Sequence, residues 1–204
     1  MKKYLTAIGL IILLPYIAWL YIKRYKYYII IYSYFIAVII WLIFMIKFLN
    51  RTELNIIDIS SAYNKGTVRT STDFIVIHHT AGEGATPAYI AKIHLQERGW
   101  SSIGYHYFIA ANGTIYNLRS DNESQVPHAL GFNDNCIAIC IDGNYSKREC
   151  PEDLWNIALE LTREIMDKYN IDSDHVIGHR ELPDQKGTEC PGLKFDMNKF
   201  RKDL

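Results

Sequence analysis

Phe74-Ile75-Val76-Ile77-His78-His79 is a short apolar run, rich in β-branched residues, that ends in two histidines. Such a run reads as a buried strand. Two further stretches work the same way. Cys136 to Ile141 is apolar throughout, which suits a central strand covered on both faces. His175 to Gly178 reads as a last short strand. Helices are expected between them. Thr86 caps one that begins at Pro87 and stops at Gly99, with Ile90, Ile93 and His94 on one face. Pro151 opens another, with Glu152 and Asp153 in its positive first turn and Leu154, Ala158, Leu161 and Ile165 as the buried stripe. Asn112-Gly113 joins the apolar runs Tyr105–Ala110 and Thr114–Leu118 as a hairpin. This order predicts an α/β domain over residues 73–204, a central mixed β-sheet flanked by helices.

The N-terminal fifty residues differ in kind. No Asp or Glu occurs before Glu53. Leu5–Ile22 and Tyr27–Ile46 carry no charge, and at about 1.5 Å per residue each reaches roughly 27–30 Å, near the thickness of a bilayer core. Lys23, Arg24 and Lys26 separate them, while Lys2, Lys3, Lys47 and Arg51 flank the pair. The expectation is a membrane anchor over residues 1–50, built as a hairpin of two transmembrane helices (about 5–22 and 27–46). The protein is then multi-pass, with the lipid bilayer as a partner. No small-x-small cleavage site follows Leu5–Ile22, so a signal peptide is the weaker reading. The basic residues divide almost evenly between loop and flanks, so charge gives no orientation. Residues 51–72 are polar and mixed, and are expected to link anchor to domain, with the start of the fold within them left open.

From Thr52 onward there are 15 Lys+Arg against 22 Asp+Glu. That acidic balance argues against a nucleic-acid partner, which needs a basic face. About 150 residues suffice for one domain with a real core. The four cysteines do not form a disulfide framework. Cys136 and Cys140 on one strand lie about 13 Å apart, beyond a bridge, so free thiols are expected, with the pairing of Cys150 left open.

Three residues stand out as metal ligands: His78, His179 and Cys190. Two neutral imidazoles and a thiolate form a set that zinc accepts while keeping a fourth position for water. Strand geometry turns His78 and His79 to opposite faces, and the residues alone leave open which one faces a metal. Tyr105 offers a phenol for a developing oxyanion or for proton transfer.

Val76-Ile77-His78-His79-Thr80-Ala81, Ile103-Gly104-Tyr105-His106-Tyr107-Phe108 after Trp100, His128-Ala129-Leu130-Gly131-Phe132-Asn133, Gly178-His179-Arg180-Glu181 and Thr188-Glu189-Cys190-Pro191-Gly192 follow one another along the chain. In that order they resemble the zinc-dependent N-acetylmuramoyl-L-alanine amidases of the type-2 class, which includes phage amidases and peptidoglycan recognition proteins. The resemblance covers roughly Phe74 to Gly192. It implies a peptidoglycan hydrolase that cuts the amide between N-acetylmuramic acid and L-alanine, with Zn2+ held by His78, His179 and Cys190. It also implies catalytic roles for Tyr105 and Thr188, and substrate-side positions for His128 and Asn133. The domain would then face the cell wall. The alternative it implies is a membrane-anchored, non-catalytic peptidoglycan-binding receptor; such members typically lack the cysteine ligand, and Cys190 is present. Two departures are specific to this chain. Leu182–Gly187 lengthens the loop between His179 and Cys190, which makes Lys186 a candidate to take the place of Thr188, where other members have a lysine. Ser102 stands where many relatives have Asp.

Overall fold

The computed structural model describes residues 2–49, 54–63, 68–69, 71–120, 128–185 and 187–204. The chain divides into two units, Met1–Glu53 and Leu54–Leu204.

The first unit is one continuous helix, α1 (Lys2–Leu49). This corrects the expected two-helix hairpin, and with it the multi-pass, two-span topology. Among the described residues a single helix, Pro15–Ile46 within α1, is long and apolar enough to cross a membrane. The physical reason lies in the segment between the two apolar runs. Lys23, Arg24, Tyr25 and Lys26 all sustain a helix, and none supplies the Gly, Pro or Asn on which a tight turn depends. Charge interrupted the hydropathy there without interrupting the backbone. Pro15 is likewise accommodated inside the helix.

The second unit is built on a six-stranded mixed sheet of order β1-β4-β3-β5-β2-β6. Its strands are β1 (Ile56–Asp58), β2 (Phe74–His79), β3 (Tyr107–Ile109), β4 (Ile115–Asn117), β5 (Cys136–Ile141) and β6 (Val176–Gly178). Only β3 and β4 pair antiparallel, across the expected Asn112-Gly113 turn; every other neighbouring pair is parallel. Gly113 has φ +81°, the left-handed conformation that such a turn asks of glycine. The segment expected to lead into the domain supplies β1, which pairs with β4.

Period-two alternation divides the core. Ile75 and Ile77 of β2 and Ile137, Ile139 and Ile141 of β5 bury on one face, beneath α3 (Glu152–Tyr169). The expected stripe of α3 meets them there: Leu154, Ala158, Leu161 and Ile165 are all buried. Burying each of the leucines and isoleucines stabilises the fold by about 1.5–3 kcal/mol, and the alanine by less. Val76 and Cys136 pack on the opposite face with Ala129 and Leu182. Cys140 packs there too, with Ile90, Ile103 and Phe108. His78 follows the parity of Val76, so it projects on this second face, together with the thiols of β5. The helix at Pro87 forms as expected, with Thr86 accepting the Tyr89 N–H, but it runs as α2 (Pro87–Ala91) into a π-helical stretch, Lys92–Glu97, before Gly99. The last helix is α4 (Met197–Asp203).

Candidate metal centre

His78 lies near the carboxyl end of β2, between the parallel neighbours β5 and β6. It is buried. His179 follows β6 directly, as the first residue of a 3-10 turn. Cys190 sits in the loop that passes back beside them. One ligand atom from each of His78, His179 and Cys190 lies within 4.8 Å of the others. The thiol sulfur is 3.5 Å from Nδ1 of His78. His79 points the other way, and its Nδ1 accepts the Tyr145 N–H at 3.1 Å. The geometry therefore resolves the choice between adjacent histidines in favour of His78.

The chemistry of this donor set suits a divalent cation. Burial, then neighbouring His128 and His179, holds His78 well below the ordinary imidazole value, and burial lowers His179 against a smaller raising effect of its Gln185 hydrogen bond. Both rings are neutral at neutral pH and carry a free lone pair for a metal. Burial pushes the Cys190 thiol up to about 12, against smaller lowering contributions from His79 and Arg180. A cation reverses that balance, because a coordinating thiol is deprotonated outright.

Tyr105 stands against this cluster, its ring centroid 5.3 Å from that of His78. Burial, with Cys140 and Cys190 adding to it, raises its phenol well above the ordinary value, so it is a protonated donor. The loop that carries it is held by His94, whose Nδ1 accepts the Gly104 N–H at 2.9 Å and whose ring packs on Trp100 at 4.5 Å. A cavity of about 570 Å³ opens over the centre, lined by His78, Tyr105, His128, His179, Thr188 and Cys190 among others. Thr188 uses its hydroxyl to accept the Cys190 N–H at 3.2 Å. Asn133 is not among the cavity's lining residues; its side-chain oxygen accepts the N–H groups of His128 and Ala129. Lys186 lies outside the described residues.

The loop bearing Cys190 is fixed by backbone fit. The Arg180 N–H donates to the Cys190 carbonyl at 2.7 Å, and its guanidinium binds the carbonyls of Gly192, Glu189 and, at 2.8 Å, Phe195. Gly192 has φ +113°, and a Cβ there would stand 2.3 Å from the Tyr145 carbonyl carbon. Only glycine fits.

A profile of the N-acetylmuramoyl-L-alanine amidase family matches residues 68–193. This chain belongs to that family. Peptidoglycan-recognition protein SC2 of Drosophila simulans is 30% identical over 144 residues, covering 66% of this chain and 76% of that protein. The endolysin N-acetylmuramoyl-L-alanine amidase LysCS from Clostridium intestinale URNW is 32% identical with a TM-score of 0.65, covering 76% of this chain and 98% of that one. The Ph2119 endolysin from Thermus scotoductus bacteriophage Ph2119 is 26% identical with a TM-score of 0.61, covering 72% and 97% of the two chains.

The amidase fold and its His/His/Cys centre thus occur together in one unit. The N-acetylmuramoyl-L-alanine amidase motifs marked the three residues that cluster but left other contributors silent. Arg180 was visible only as part of a motif, and its grip on the 189–195 loop needs three dimensions. Cys136 and Gln185 also touch the histidines of the centre or their partners, and no local pattern announces either one.

Proposed function

We propose that this chain is a zinc-dependent N-acetylmuramoyl-L-alanine amidase that releases the stem peptide of peptidoglycan at its L-alanine. The observation that carries the reading is the convergence of His78, His179 and Cys190 within 4.8 Å, at the floor of an open cavity. Zinc is the metal that best matches two imidazoles and a thiolate; bound there, it supplies Lewis acidity and lowers the pKa of a water to about 7.

The chain's own groups do the rest. Tyr105, protonated and beside His78, donates a hydrogen bond to the oxygen of the scissile amide as negative charge develops on it. Thr188, two residues before Cys190, holds that ligand's N–H and presents its side chain to the same cavity, which supports a role in orienting the amide. His128 forms part of the cavity wall beside His78, and Asn133 shapes the turn that carries it. Peptidoglycan is the macromolecular partner. The apolar helix Pro15–Ile46 supports the bilayer as a second partner, through a single span.

Digestion of purified peptidoglycan tests the reading. The zinc-loaded chain is expected to release peptides with a free N-terminal L-alanine, and a chelator is expected to stop it. Binding of muropeptide without any release would convert the protein into a receptor and defeat the enzymatic reading.

A further inference from the structure

Two separate hydrogen-bond chains end on the two imidazoles of the metal centre, and both start from carbonyls of the same turn, residues 128–133. The first begins at Phe132. A carbonyl oxygen only accepts, so the Cys136 thiol donates to it. Cys136 keeps its proton at neutral pH, since burial pushes it up to about 12. Its sulfur then accepts from Nε2–H of His128, 3.0 Å away. Nδ1 of His128 is left with a lone pair, which accepts from Nε2–H of His78 at 2.9 Å. The proton of His78 is thereby placed on Nε2. Nδ1, facing Cys190 at 3.5 Å, is bare.

The second chain begins at Leu130. Its carbonyl accepts from the Gln185 amide nitrogen at 3.1 Å. The amide oxygen of Gln185 must then point at His179, where it accepts from Nε2–H at 3.2 Å. His179 too is left with a bare Nδ1. The turn that supplies both carbonyls is itself pinned. Asn133 accepts the His128 and Ala129 N–H groups, and the Phe132 N–H donates to the Ala129 carbonyl at 3.1 Å.

We infer that this turn is a shared template that fixes the tautomer of both imidazole ligands, with His128 and Gln185 as positioning residues that make His78 and His179 bind the metal through Nδ1. The inference rests on the reading of His78, His179 and Cys190 as a metal centre. It also gives a use to the stretch Leu182–Gly187, because the residue that orients His179 is part of it. Partners on the distal ring nitrogen fix a ligand's direction and raise its basicity, and their loss typically costs about 10–100-fold in metal affinity.

The test is zinc affinity of the full chain in detergent, measured by competition with a chromophoric chelator. His128→Leu and Gln185→Ala are each expected to weaken binding by about 10–100-fold. His128→Asn, which keeps an acceptor at the Nδ1 position, is expected to recover most of the loss. Co2+ spectra of the two damaging variants should shift in band position, and KM of Gln185→Ala, which lies outside the cavity lining, should hold at saturating zinc. Thermal unfolding of the metal-free proteins controls for misfolding; if His128→Leu does not fold, Gln185→Ala in its surface loop carries the test. Folded His128→Leu and Gln185→Ala with wild-type zinc affinity overturn the inference. So does His128→Leu with intact zinc affinity and a raised KM, which would make His128 a substrate contact. A wild-type chain that binds no zinc defeats the metal centre itself, a distinct result.

Discussion

His78 and Cys190 reach one cluster from opposite kinds of structure. His78 stands on a strand buried between two parallel neighbours, over a continuous core of isoleucines. Cys190 stands in a loop with no strand of its own, held by Arg180 and by a glycine that leaves no room for a side chain. Position on the strand side comes from apolar burial, which is non-directional and redundant. Position on the loop side comes from a few directional contacts. The strand side should therefore fail as stability, and the loop side as function.

The largest effect is expected at the ligand on the loop side. Cys190→Ser should abolish both stoichiometric zinc and amide hydrolysis while leaving the sheet folded, read by metal analysis and circular dichroism. Ile77→Ala inverts the pattern. It opens a cavity under β2 and should cost about 2–5 kcal/mol in unfolding free energy, with zinc stoichiometry kept in the molecules that remain folded. Gly192→Ala breaks the comparison if the loop is softer than its contacts suggest. Its Cβ meets backbone, so zinc affinity should fall by more than tenfold, about 1.4 kcal/mol, against a smaller loss in global stability. Tyr105→Phe removes one hydroxyl, hydrogen-bonded to the Cys140 thiol, and keeps the ring and its packing. It should bind zinc normally and lose about 10²–10³ in kcat, the cost of one oxyanion donor.

The smallest effect is at Glu181, which braces the His179 turn by accepting from Gly178 N–H at 2.8 Å and pairing with Arg201 at 2.7 Å. Desolvation raises its carboxyl, but Arg201 and the Gly178 N–H outweigh that and leave it below the ordinary value of 4.5. A depressed carboxyl contributes stability at pH above its unfolded value and loses it as pH falls through the folded one. Glu181→Gln should therefore cost at most about 1 kcal/mol near neutrality, since the pair is partly exposed. The gap from wild type should narrow as denaturation is repeated below pH 4.5.

The contrast also explains what the sequence made legible. β2, β5 and the stripe of α3 show because burial imposes a period on contiguous residues, and that period is written locally. Asn112-Gly113 shows because its turn needs a particular backbone conformation. The three clustered residues showed through the order of motifs along the chain. The tautomer chains did not, since Gln185 meets Leu130 across 55 positions and His128 meets His78 across 50. β1 was invisible for a related reason: three residues are too few to set a pattern, and their pairing with β4 is a property of the sheet. The N-terminal helix misled in the opposite sense. Hydropathy there recorded three charges, and charge is no turn.

Mass spectrometry of the products from purified peptidoglycan, comparing the zinc-loaded chain with Cys190→Ser, bears most directly on the convergence of His78, His179 and Cys190 into one catalytic metal centre. Peptides beginning with free L-alanine are expected from the wild-type chain alone, lost on chelation and restored by zinc. Their absence from the zinc-loaded wild type, or their equal release by Cys190→Ser, would contradict it.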